Sequence, residues 1–204
     1  MTDLAGNTGS ATATVRIDRT APVVTLTGYP VHPVCATTDA LSGVKVAASL
    51  LTATGRVAGI PVTVATCLGA LDTAGNLALP VVRIYVAPIT FSGFQAPVVG
   101  PPTVNTGSVS KAYPVRFQLR DAGGAFISAL PAVTPTSYQS VACTTFGTTT
   151  SALPNGTNAS TSLTYDSKAN QYVYTWKTPS TAGCYVLTIG LADGSSYKAN
   201  FKLK

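Results

Sequence analysis

Four cysteines, one histidine and seven aspartates are the side chains from which redox, acid–base or metal chemistry would have to be built in this 204-residue chain, which contains no glutamate. A catalytic histidine needs a nucleophile or a carboxylate oriented beside it. His32 sits in YPVHPVC, flanked by prolines in a short connection, and reads as a surface or half-packed residue. The aspartates are spread singly, mostly at turns, so no glycosidase-type carboxylate pair is in evidence. Asp39 and Asp72 both fall in loops, where a Ca²⁺ ion could collect carboxylate and carbonyl oxygens. Without a D-x-D-x-D spacing, they read instead as turn-forming residues that bond their own backbone. No phosphate loop, HExxH or GxSxG occurs. These absences argue against an enzyme, a cofactor and a bound metal.

The cysteines lie at positions 35, 67, 143 and 184. Four cysteines allow three connectivities. Cys35 falls in an early strand and Cys67 in a late one, positions that face each other across the core of a β-sandwich. Cys143 and Cys184 repeat the arrangement, so one bridge per module, Cys35–Cys67 and Cys143–Cys184, is the local solution. Two such bridges imply an oxidising, extracellular setting. The competing reading is four reduced thiols in a cytosolic protein, but CxxC spacing and a histidine partner are lacking.

The elements that must position these residues are strands. Hydrophobic residues make up 46% of the chain and charged residues 10%. Thr, Ser, Val, Ala, Gly and Pro dominate; β-branched residues suit a pleated, half-buried surface, and Gly and Pro punctuate turns. The chain is therefore expected to be all-β. The net charge of +6 comes from scattered lysines and arginines as much as from missing carboxylates, which disfavours nucleic-acid binding. No apolar run reaches membrane-spanning length, so no membrane insertion is expected.

An internal repeat organises the first half. Asp3, Ala5, Gly6 and Asn7 match Asp72, Ala74, Gly75 and Asn76; Val15, Arg16 and Ile17 match Val82, Arg83 and Ile84. Each copy is a tight turn followed by a strand. In the first copy Ala11, Ala13, Val15 and Ile17 share one face. Residues 1–20 thus read as the last strand of a preceding module plus a linker, in a chain that continues a longer array. Residues 21–88 and 89–204 read as two immunoglobulin-like Greek-key sandwiches. In the second, Tyr113, Val115, Phe117 and Leu119 alternate along YPVRFQLR, where Pro114 marks an edge or a strand start. LADGSSY signals a hairpin. Lys198, Lys202 and Lys204 read as lysines protecting a sheet edge.

IDRTAPVVTLTG, CATTDALSG and DTAGN resemble the Ig-like repeats of bacterial secreted and surface proteins, over residues 1–88. FSGFQAPVVGPPTVN, YPVRFQL, YVYTWKTPSTAGCY and GLADGSSYKANFKLK resemble the PxKF domain, a C-terminal module of bacterial exported proteins, over residues 89–204. Its naming motif stands here as Pro114-Val115-Arg116-Phe117, with Arg in place of Lys. The resemblance implies an extracellular sandwich and no reaction.

The expected role is a non-catalytic structural, spacer or surface-display region, secreted or on the cell surface. One alternative is an adhesion module binding polysaccharide or other surface proteins, with Tyr172, Tyr174 and Trp176 as a stacking platform if exposed, or as core if not. Another is homo-oligomerisation by strand exchange through residues 1–20. NGTNAS, Asn155 to Ser160, carries two glycosylation sequons.

Overall fold

The computed structural model describes residues 4–144, 146, 156–158 and 163–204. Sixteen strands and one 3₁₀ turn, Leu130–Ala132, make up its regular structure, with no α-helix among the described residues. By compactness the chain divides into two units: Met1–Thr52 with Ala65–Arg83, and Ala53–Val64 with Ile84–Lys204.

In the N-terminal part, β1 (Val23–Thr27) pairs antiparallel with β2 (Val34–Thr38) as an isolated two-stranded sheet. The turn between them needs Gly28, whose φ is +72°, and a Cβ there would lie 2.1 Å from the His32 carbonyl oxygen. His32 is exposed in that turn, with its backbone N–H bonded to the Gly28 oxygen at 2.8 Å. β3 (Val44–Val46) pairs with β6 (Leu71–Asp72). β4 (Ser49–Val57), β5 (Ile60–Leu68) and β7 (Val81–Val86) form a sheet in the order β4-β5-β7. The Cys35–Cys67 disulfide ties β2 to β5, bridging two sheets as the sequence suggests. The buried side chains of this unit are small apart from Leu26: Ala65, Cys67, Ala70 and Ala78, with Asp72 among them. Residues 9–22 form no strand, although the alternation at 11–17 predicts one.

The C-terminal unit is a complete sandwich. One sheet has the order β13 (Leu163–Asp166), β14 (Gln171–Lys177), β10 (Ala112–Arg120), β8 (Thr90–Gln95). The other has the order β12 (Gly156–Asn158), β11 (Thr136–Val141), β15 (Gly183–Gly190), β16 (Ser196–Leu203), β9 (Val104–Gly107). With strands lettered along the chain, these are the A-B-E-D and C-F-G arrangements of an immunoglobulin sandwich, extended at the two edges of the second sheet. β9 runs parallel to β16; the other pairings of this unit are antiparallel.

Period-two burial builds the core. Val115, Phe117 and Leu119 point inward from β10, and Tyr172, Tyr174 and Trp176 from β14. They meet Leu187 and Ile189 of β15 and Ala199, Phe201 and Leu203 of β16. Pro114 falls where β10 has one neighbour only: β14 pairs from Ala112 onward, whereas β8 pairs from Arg116. The strand is an edge at its start and central afterwards, so its proline disrupts no second ladder. The lysine-bearing strand β16 pairs with β15 along its length but with β9 only over Asn200–Leu203, so Lys202 lies in an interior stretch and does not protect an edge, whereas Lys198 stands where β16 has β15 alone as neighbour. Tyr185 donates its hydroxyl to the Thr181 oxygen at 2.8 Å. This is the tyrosine corner of Ig-like folds, at the start of the strand lettered F. Within the same unit Arg56 forms an ion pair with Asp121.

Candidate functional site

Three aspartates far apart in sequence come together in the N-terminal unit. Carboxylate oxygens of Asp18, Asp39 and Asp72 lie within 4.8 Å of one another. Asp18 belongs to the linker ahead of β1, Asp39 follows β2, and Asp72 ends β6. Sequence reasoning treats Asp39 and Asp72 as separate turn residues and misses Asp18. The available signal is that each begins a turn-like stretch, Asp-Arg-Thr-Ala-Pro, Asp-Ala-Leu-Ser-Gly and Asp-Thr-Ala-Gly-Asn; their convergence is tertiary.

Three negative charges at this range repel unless donors compensate. Asp39 Oδ1 accepts the N–H groups of Leu41, Ser42 and Gly43 at 3.1, 2.9 and 2.7 Å. Asp18 accepts the Thr20 and Ser42 N–H groups at 2.8 and 3.1 Å. Asp72 accepts the N–H and side-chain amide of Asn76 at 2.7 and 2.6 Å. That same Asn76 amide lies 3.3 Å from the carbonyls of Asp18 and Thr20. Hydrogen bonds from Ser42 and Thr20 hold the Asp18 carboxyl below its ordinary range. Burial pushes Asp72 upward, but the two Asn76 donors outweigh it and the net direction is down. Together these hydrogen bonds lock the linker, the loop after β2 and the turn at 72–76 into one knot. Gly75 makes that turn with φ +93°, a conformation that costs glycine little.

The aromatic set is not a platform. Tyr172, Tyr174 and Trp176 are 0%, 1% and 0% exposed, because β14 turns this face into the sandwich. No sugar ring reaches them. Trp176 packs edge-on against Phe201 at 4.6 Å, and its indole N–H has no hydrogen-bond partner among the described residues. Tyr172 stacks on Phe117 at 5.3 Å and donates its hydroxyl to the Ala129 oxygen at 2.9 Å. Burial raises that hydroxyl well above the ordinary tyrosine range. More accessible aromatics lie elsewhere in the unit. Phe91, Phe94 and Tyr197 line a cleft of about 480 Å³ with Val99, Pro101 and Lys198, and Phe91 and Tyr197 stack at 4.1 Å.

Both predicted disulfides form, which indicates maturation in an oxidising compartment outside the cytosol. Their roles differ from the expectation that both clamp two sheets. Val141 of β11 registers with Cys184 of β15 in one sheet, and Cys143 follows two residues after Val141. The second bridge therefore staples adjacent strands of that sheet. The sequons lie outside the described residues, apart from the backbone of Gly156–Asn158. No described helix is long and apolar enough to cross a membrane.

No family model matches the chain, and no curated protein does. Among solved structures, the chain is similar at 15% identity to the extracellular domains 3–5 of Drosophila OTK, with a TM-score of 0.27. The match covers 70% of this chain and 39% of that one; a score this low carries no argument about fold or function.

Proposed function

We propose that the chain is a non-catalytic spacer or display region of an exported bacterial protein, built from an Ig-like repeat followed by a PxKF-like sandwich. The observation that carries this reading is the aspartate knot. A spacer must transmit orientation along the chain, and here the linker ahead of β1 is fastened at Asp18 to the loop after β2 and to the turn at 72–76. Each unit is also closed covalently, which suits survival where refolding assistance is scarce. Backbone amide relaxation tests the reading. Residues 18–22 are expected to be as rigid as β1, and Asp18→Ala to release them while leaving β1 and β2 ordered. Linker mobility equal to that of residues 10–17 in the unmodified protein would defeat it.

A second reading, an adhesion module for polysaccharide or another surface protein, is favoured by the Phe91–Phe94–Tyr197 cleft beside Lys198 rather than by Tyr172, Tyr174 and Trp176. Saturable glycan binding lost in Tyr197→Ala, with the fold intact, would replace the spacer role by this one.

A further inference from the structure

The two units offer an internal comparison of how an Ig-type sheet is completed. In the C-terminal unit β8 and β10 form the first antiparallel pair, and β14 adds along the far side of β10. In the N-terminal unit β1 and β2 form the equivalent pair, and among the described residues no strand adds to β2. β1, like β8, is an outer strand; the departure lies at the open edge of β2. A row of unpaired backbone groups of this kind accepts an added strand.

The chain also carries a segment with strand chemistry and no sheet. Residues 11–17, Ala-Thr-Ala-Thr-Val-Arg-Ile, alternate apolar and polar, and Val15 and Ile17 are 77% and 70% exposed. Their counterparts in the internal repeat, Val82, Arg83 and Ile84, lie within β7, a strand of the β4-β5-β7 sheet. The sequence is thus competent to form a strand when a neighbour is offered.

From these placements we infer that residues 11–17 of one copy add antiparallel to the open edge of β2 in a second copy, giving a self-associating protein. The direction selects a second copy. Asp18 is held beside Asp39, immediately after the C-terminal end of β2. Antiparallel pairing over all five residues of β2, in the register that sets Ala13 beside Thr37 and Val15 beside Cys35, would put Arg16 beside Val34. Val34 lies five residues from Asp39, about 16 Å at roughly 3.3 Å per residue. Arg16 is two Cα steps, at most about 7.6 Å, from the anchored Asp18, so a chain's own segment cannot make this pairing. In the intermolecular pair Ala11, Ala13, Val15 and Ile17 extend the inward side that Cys35 and Thr37 begin, while Thr12, Thr14 and Arg16 face solvent.

The test combines sedimentation with hydrogen exchange on the full chain at low and high concentration. The expected result is a mass that rises to dimer or beyond, with amides of 11–17 and 34–38 exchanging more slowly as it rises. Thr14→Pro, which removes a donor outside any folded element, and deletion of residues 1–17, which keeps Asp18, are both expected to return the protein to monomer with both disulfides intact. A monomer at every concentration overturns the inference. So does an oligomer indifferent to Thr14→Pro, or protection of 11–17 within a monomer, which would mean parallel pairing to its own chain. A monomeric protein leaves the spacer reading standing, so the two fail separately.

Discussion

The two units hold their shape by different means. All the largest fully buried side chains, from Trp176, Tyr172, Tyr174 and Phe117 down to Val98 and Val115, belong to the C-terminal unit. The N-terminal unit buries mostly alanines, a cysteine and one leucine, while Leu51, Val82 and Leu79 stay exposed. Apolar burial contributes about 25 cal/mol per Å², and alanine has little area to bury. A covalent bridge and an aspartate knot stand where a packed core would be. One unit is expected to depend on its cross-links, the other on its packing.

The largest effect should follow from replacing both Cys35 and Cys67 by alanine. As they are 32 residues apart, loss of the bridge costs about 3–4 kcal/mol in the chain-entropy model. With so small a core, the N-terminal transition is expected to vanish in calorimetry. The same change at Cys143 and Cys184, 41 residues apart, should leave a cooperative C-terminal transition at lower temperature. Equal responses would break the comparison. Trp176→Ala should cost about 3–5 kcal/mol, as large aromatic deletions in cores do, and only in the C-terminal transition. Trp176→Phe should cost much less, because it also removes an indole N–H that has no partner among the described residues. Gly28→Ala should destabilise the N-terminal unit by about 1–3 kcal/mol through left-handed strain, with more from the clash at His32, read as a lower denaturation midpoint.

The smallest effects separate the units by pH. Asp18 and Asp72 have carboxyls lowered from the ordinary value of 3.8. Their contribution is present above that value and is lost as pH falls through the lower folded values. Acid should therefore weaken the N-terminal unit, with Asp72→Asn flattening the slope. Tyr172 is raised from 10.0, so its contribution is present below 10 and is lost as pH rises beyond it. Alkali should weaken the C-terminal unit, and Tyr172→Phe should remove that dependence at a cost of about 1 kcal/mol for its hydrogen bond.

Much of this was legible. Alternation along Tyr113–Leu119 places its apolar face inward, with Val115, Phe117 and Leu119 fully buried. The Asp-Gly signal in LADGSSY is a hairpin closed by Leu191 N–H to Ser195 O at 2.8 Å. Gly6 and Gly75, matched in the repeat, both take positive φ. The aspartate site was less legible, because turn chemistry is local whereas the meeting of residues 18, 39 and 72 depends on how three loops are brought to one end of a sandwich. The burial of Tyr172, Tyr174 and Trp176 was readable only as one of two faces; alternation shows that they share a side without saying which side meets the other sheet.

By itself the sequence determined the strand chemistry, the turns and the one-bridge-per-module pairing, since these follow from side-chain period, glycine conformation and separation along the chain. Strand neighbours were decided by tertiary structure alone. The same Val-Arg-Ile is a strand at 82–84 and none at 15–17, and β16 is interior at Lys202 but not at Lys198 because β9 lies beside it only over Asn200–Leu203. A strand completes its backbone hydrogen bonds on another strand, so its fate depends on which edge the rest of the fold leaves open.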